Sequence, residues 1–248
     1  MVIIKRPDEI ERIRKSNIIV AEILNELRSI VLPGITTKQL DEHAERMVLS
    51  RKATPAFKGY CGYPFSLCTS VNDVVVHGMP SKRVLVAGDI VSLDFGVFYD
   101  GFYGDAAVTI PVGDVSDEAC KLIKCTEDAL YQAIKKAMPG NRLGDISSSC
   151  QKRVEQDGYS VVRDYVGHGI GKSLHEDPQV PNYGVKGRGL ELKAGMVLAI
   201  EPMVNGGTYK VKLLDDGWTV LTEDGSLSAH FEHTVAITEN GPDILSRC

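Results

Sequence analysis

Asp94, in the stretch AGDIVSLDFG (87–96), and Asp105, in FYGDAAVTI, are carboxylates set among apolar residues of β-favouring type. An ionised carboxylate in such surroundings is costly unless something compensates it. Asp100-Gly101, between two apolar runs, is a strong signal for a two-residue hairpin. A turn there sets Asp94 opposite Ala107 and Asp105 opposite Gly96, so both carboxylates share one face as diagonal neighbours, about 7–8 Å apart at Cα. That face also carries Ser92, Gly96, Ala107 and Thr109, while Val91, Leu93, Phe95, Ala106, Val108 and Ile110 take the other. Small and polar neighbours on the acidic face predict a polar cavity.

Three further residues of similar chemistry fall in or just after predicted strands: His168 in RDYVGHGIG, Glu201 in VLAIEP and Glu232 in AHFEHTVAIT. Four acidic groups in one hollow would each raise the pKa of the others, and two divalent cations would remove that conflict. A pair of such ions, roughly 3.5–4 Å apart, polarises a carbonyl and ionises a bound water. Oxygen-rich ligation with one imidazole suits Mn, Fe(II) or Co(II) better than a thiolate-type site, with zinc still admissible. His43 sits in a helical pattern and His233 has the opposite strand parity from Glu232, so both read as surface or packing residues. His230 shares the parity of Glu232 and is a minor extra candidate.

The elements that must position these groups follow from periodicity. PDEIERIRKSNIIVAEILNELRSIV opens with Pro7 and repeats Ile10, Ile13, Ala21, Leu24 and Leu27 at helical spacing before Pro33-Gly34. Thr36 and Gln39 form a capping box for a second helix through about Leu49. The same order returns: Ser116 caps a helix whose apolar face runs from Ala119 to Ala137, Pro139-Gly140 ends it, and another helix spans about Leu143 to Gln156. AGMVLAIEP at 194–202 answers AGDIVSLDFG at 87–96, an offset of 107 that puts Glu201 on Asp94. The expectation is one α+β domain over residues 1–248, made of related halves at about 1–112 and 113–248. With no linker between them, their strands join in one antiparallel sheet with approximate two-fold symmetry, covered on one face by helices.

Composition excludes several classes. With 43% hydrophobic and 25% charged residues and a net charge of −5, the 248-residue chain is of ordinary globular type and offers no basic footprint for nucleic acid or an anionic membrane. No apolar run approaches a bilayer span, and the start lacks a secretory h-region, which points to the cytoplasm. Cysteines 61, 68, 120, 125, 150 and 248 form no CxxC pair and read as free thiols.

The segments ATPAFKGY, SVNDVVVHGMP, DIVSLDFGVFYDGFYGDAAVT, DYVGHGIGKSLHEDPQVPNYG, GMVLAIEPMV and AHFEHTVAITENG together resemble the type I methionine aminopeptidases over nearly the whole chain. That resemblance implies the pita-bread fold and removal of N-terminal methionine, by a metal-activated water, from peptides or nascent chains with a small second residue. It implies Asp94, Asp105, His168, Glu201 and Glu232 as metal ligands, with Glu201 also shuttling a proton. His77 and His175 would flank the substrate amide, and Tyr60, Tyr63, Cys68, Met203 and Trp218 would form the methionine pocket. It extends to a monovalent cation near Asn72, Val74 and Ser228. Leu174, often aromatic in bacterial relatives, and Cys61, a histidine in some, depart from the pattern and leave pocket shape open. The alternatives are a Pro-directed enzyme of prolidase type, which usually carries an extra N-terminal domain, and a non-catalytic binding module. A monomer is expected, with any ribosome contact made through the globular surface.

Overall fold

Pro7 opens α1 (Pro7–Ile30), where its missing N–H costs nothing, and Asp8 and Glu9 follow in the first turn. In α2 (Thr37–Ser50) the expected capping box is formed: Thr36 Oγ1 accepts from the Gln39 N–H, and Gln39 Oε1 accepts from the Thr36 N–H. Ser116 caps α3 (Asp117–Ile134) by accepting from the Ala119 N–H, and α4 covers Leu143–Gln156. The apolar run that continues to Ala137 does not extend α3. Lys136 and Ala137 donate to the carbonyls three residues back, so the chain tightens into turns while Ala137 stays buried in the same cluster. This structure is a computed structural model, and it describes residues 1–247.

One nine-stranded sheet spans both parts of the chain. Its strands are β1 (Thr54–Pro55), β2 (Cys68–Val71), β3 (Ile90–Tyr99), β4 (Phe102–Pro111), β5 (Gly167–Gly169), β6 (Glu176–Val180), β7 (Val197–Ile200), β8 (Glu232–Thr238) and β9 (Gly241–Ile244). The order is β1-β3-β4-β8-β7-β5-β6, with β2 added to β3 and β9 to β8, and every pairing is antiparallel. At its centre β4 meets β8, with β3 and β7 outside them, so the two portions face each other across an approximate two-fold axis.

The β3–β4 hairpin has the register that its turn residues dictate, Asp94 opposite Ala107 and Gly96 opposite Asp105. Asp100 and Gly101 both take left-handed backbone (φ 50° and 80°), which gives a turn whose twist matches the strands. Strand parity then separates the faces. Val91, Leu93, Phe95 and Val97 pack with Val20, Leu24 and Leu27 of α1. Leu198, Ile200, Val235 and Ile237 pack with Leu122, Ala129 and Leu130 of α3. Burying each large side chain contributes roughly 1.5–3 kcal/mol, so the helix-covered face fixes the strands and leaves the opposite face for chemistry.

Two short three-stranded sheets complete the strand structure: Ser160–Val161, Met203–Asn205 and Ser228–His230 form one, and Val74–Val76, Val211–Leu213 and Val220–Thr222 the other. Cys61, Cys68, Cys120, Cys125 and Cys150 are free thiols, and Cys248 lies outside the described residues. Among the described residues, no helix is long and apolar enough to cross a membrane.

Candidate active site and metal centre

Register alone gathers the ligand-type residues. In one row across the sheet Asp94 pairs with Ala107, and Ala107 pairs with Glu232. Since His233 pairs with Ile200, the next residues, Glu232 and Glu201, come level at the end of β7. In the adjoining row Gly96 faces Asp105, Thr234 faces Ala199, and Ala199 faces His168. Thr234 ties this row together by donating its hydroxyl to the Asp105 carbonyl at 2.8 Å. Rows two residues apart share a face, so Asp94, Asp105, His168, Glu201 and Glu232 all project from the side away from the helices.

The side chains meet there. Ligand atoms of Asp105, His168 and Glu232 lie within 4.8 Å of one another, and His168 Nε2 is 3.5 Å from Glu201 Oε1. Asp94 lines the same hollow. Burial pushes the Asp94 carboxyl up to about 7, helped by Glu201 and opposed by His230. Burial takes Glu201 up to about 8. Asp105 and Glu232 are raised well above the carboxylate range, first by burial and then by the neighbouring acids. Asp94 Oδ1, Asp105 Oδ1 and Glu232 Oε1 are buried without a hydrogen-bond partner. Each such atom costs about 1–3 kcal/mol, more when charged.

These groups fit divalent cations on their own chemistry. The carboxylate oxygens are acceptors with nothing to accept from. His168 Nδ1 lies 2.8 Å from the Gly169 carbonyl and must donate to it, which leaves a lone pair on Nε2 toward the acids. Burial lowers the His168 pKa to about 3, so the imidazole is neutral at physiological pH and its Nε2 is free to act as a donor atom to a cation. Cys68, although it faces Asp94 across β2 and β3, has its thiol pushed well up by burial and stays an uncharged wall rather than a thiolate. His230 is wholly buried with Nε2 3.7 Å from Glu201 Oε2, beside the set, as strand parity suggested.

The hollow is a cavity of about 180 Å³. Tyr60, Tyr63, Cys68 and Trp218 line it, together with His77 and His175. Tyr63 is almost fully buried, with its hydroxyl 3.2 Å from the Leu67 and Gly78 carbonyls and its ring edge-on to Trp218. His77 adopts left-handed backbone (φ 59°) between Tyr165 and Trp218, and burial lowers its pKa to about 4. His175 stands at the rim, its Nδ1 2.8 Å from the Tyr60 hydroxyl and its ring 4.3 Å from that of His168. Leu174 and Cys61, the two departures from the family pattern, both line the cavity.

Met203 departs from the expectation of a pocket residue. It is fully buried on one of the short strands, packed with Val75, Val76, Val162 and Val220, and does not line the cavity. Phe57 lines it instead, with its ring against Gly96, where a Cβ would approach Phe57 Cε1 to 2.6 Å. Phe57 follows the two-residue β1, where no periodicity marks it. Asn72 and Ser228 are joined by a backbone hydrogen bond of 2.8 Å, and Asn72 also bonds Asp89; Val74 begins the next short strand. A further hollow of about 260 Å³ lies on the helix side, where His233 bonds Ser246, in keeping with a packing role.

Comparison with known proteins adds four findings. Residues 11–239 match the model of metallopeptidase family M24. The chain is 57% identical to the methionine aminopeptidase of Clostridium acetobutylicum, with both chains covered in full. In structure it resembles the methionine aminopeptidase of Thermotoga maritima, with a TM-score of 0.98 at 50% identity and full coverage of both chains. The prolidase of Pyrococcus horikoshii, with a TM-score of 0.81 at 24% identity and 64% of its chain covered, shares the fold.

Proposed function

The chain belongs to metallopeptidase family M24, and on that premise we propose how its own residues remove the N-terminal methionine from peptides and nascent chains with a small second residue. Its fold is the pita-bread type of that family. The single observation that carries the site assignment is the set of partnerless carboxylate oxygens around the His168 lone pair, at the end of an apolar-walled cavity. Asp94, Asp105, His168, Glu201 and Glu232 would hold two divalent ions, Mn, Fe(II) or Co(II), with zinc as the further option. Such ions supply Lewis acidity and an ionised water when bound.

The other roles fall to protein groups. The methionine side chain enters between Tyr60, Tyr63, Cys68 and Trp218, with Phe57 and Leu174 closing the wall. The free α-amine meets the acidic end, which restricts the reaction to the first residue. His175 donates to the scissile carbonyl oxygen as its charge develops. His77, held neutral by burial, contacts the scissile nitrogen, and Glu201 takes up a proton and returns it to the departing amine.

Residues 1–248 are proposed as one catalytic domain with halves at about 1–112 and 113–248, working as a monomer in the cytoplasm, with any ribosome contact through its globular surface. The monovalent-cation position at Asn72, Val74 and Ser228 belongs to the same reading. The likeness to prolidases at this identity concerns the fold alone. Reconstitution with Mn, Fe(II) or Co(II) is expected to release methionine from Met-Ala-Ser. Cleavage of Xaa-Pro peptides with Met-Ala-Ser untouched would transfer the assignment to a Pro-directed enzyme, and no cleavage of any peptide would make the chain a binding module.

A further inference from the structure

The segment from Gly59 to Tyr63 is built with more conformational cost than a wall residue needs. Gly59 and Gly62 take left-handed backbone (φ 87° and 89°), and so does the non-glycine Cys61 at φ 48°. Three backbone hydrogen bonds close the turn: Gly59 N–H to the Tyr63 carbonyl at 2.7 Å, Tyr63 N–H to the Tyr60 carbonyl at 2.9 Å and Gly62 N–H to the Gly59 carbonyl at 3.3 Å. The buried Tyr63 anchors its far end. Backbone strain of this kind persists only where the surroundings over-determine it, and it gathers at functional sites.

The turn holds one polar atom against the proposed catalytic machinery. The Tyr60 hydroxyl lies 2.8 Å from His175 Nδ1, with the two rings 5.2 Å apart and tilted by 40°. We propose that Tyr60 is a positioning residue: its hydroxyl donates to Nδ1 of His175, which fixes the imidazole as the Nε2–H tautomer and presents that N–H to the oxygen of the scissile carbonyl. The direction of the bond follows from donor and acceptor strength, since a phenol O–H is the better donor and an unprotonated imidazole nitrogen the better acceptor. Among the described residues the Tyr60 hydroxyl has no other partner that competes for its proton. In a neutral imidazole the tautomer decides whether Nε2 can donate at all. A third group that orients the catalytic imidazole is the arrangement the chemistry of such sites favours.

This inference rests on the role given to His175 under the proposed function, and the test separates the two. With the metal-loaded enzyme and Met-Ala-Ser, Tyr60→Phe keeps the aromatic wall and removes only the hydroxyl. Its kcat is expected to fall about tenfold with KM within about twofold. His175→Ala is expected to fall further, by about a hundredfold, and the double variant no further than His175→Ala alone. In ¹⁵N-histidine spectra of the wild-type protein, His175 should show a bare Nδ1 and a protonated Nε2, and Tyr60→Phe should mix the tautomers. Unchanged kcat in Tyr60→Phe, a change confined to KM, or independent losses in the double variant would overturn the positioning role while leaving His175 in place. Wild-type turnover in His175→Ala would overturn the role of His175 and this inference with it.

Discussion

The acids and the histidines that meet in the cavity are held by different means. Asp94, Asp105 and Glu232 sit on strands whose reverse faces are packed against α1 and α3, so their placement follows from the pleat. His77 and His175 sit on connecting segments, His77 with left-handed backbone and His175 steadied by Tyr60. The difference teaches that the hydrophobic core fixes where charge accumulates, whereas local backbone geometry and side-chain hydrogen bonds fix where the imidazoles stand. Sheet-borne groups should tolerate chemical change without structural loss. Loop-borne groups should show their effect in turnover.

The largest effect should come from the sheet-borne ligands. Asp105→Asn or Glu201→Gln keeps side-chain shape and is expected to leave the thermal melt intact while methionine release falls by at least about a hundredfold. Wild-type turnover in either would mean that the rows are not the metal centre. On the loop side, His77→Ala is expected to lower kcat by about thirtyfold with little change in the melt. A collapse of the melt instead would make His77 a structural element and blur the contrast.

The third test addresses the cost of the acidic rows. Asp94 and Glu201 titrate near 7 and 8 in the folded protein, above the ordinary 3.8 and 4.5. At these two groups the native state binds more protons than the unfolded state from about pH 4 to 8, so their contribution to stability without metal falls as pH rises through that window. The histidines depressed by burial, His77 and His233 to about 4, His168 to about 3, and His175 and His230 also lowered, act in the opposite sense, their contribution being lost as pH falls below 6.5, so the clean interval lies above 6.5. Between pH 6.5 and 8 the metal-free protein should lose at least about 2 kcal/mol from Asp94 and Glu201 alone, roughly 4–8 °C in Tm, with Asp105 and Glu232 adding to it, and excess Mn should abolish the slope. A Tm independent of pH without metal would count against four crowded carboxylates. The smallest effect links the two regions: Gly96→Ala forces a Cβ against the Phe57 ring, at a cost of about 1 kcal/mol in stability and a raised KM for methionyl peptides.

Much of this arrangement was legible in the chain. Asp100-Gly101 fixed the hairpin register, because a left-handed pair leaves few alternatives, and parity then separated Asp94 and Asp105 from Leu93 and Phe95. Parity likewise distinguished His230, beside Glu201, from His233, bonded to Ser246 on the helix side. The ends of helices were less legible. Ala137 is buried as its spacing implied, but turns rather than helix carry it there. Met203 and Phe57 show the firmer limit: a side chain reaches the cavity only through the path of an irregular segment, and neither lies in a pattern with a period to read. The histidines of the Gly-rich stretches were marked by family likeness rather than by physics, since their backbone angles have no periodic signature.

The strand at the middle of the sheet has a consequence for how the molecule comes into being. Glu232 registers against Ala107, a partner 125 residues earlier, so β8 closes one of the longest loops in the fold. Contacts at such separation are slow to form and late in the folding sequence. Asp94 and Asp105 come together within a single hairpin, whereas Glu232 joins them only after that closure. Seating that strand is then expected to be the step that completes the site, and refolding should slow when the β4–β8 pairing is weakened.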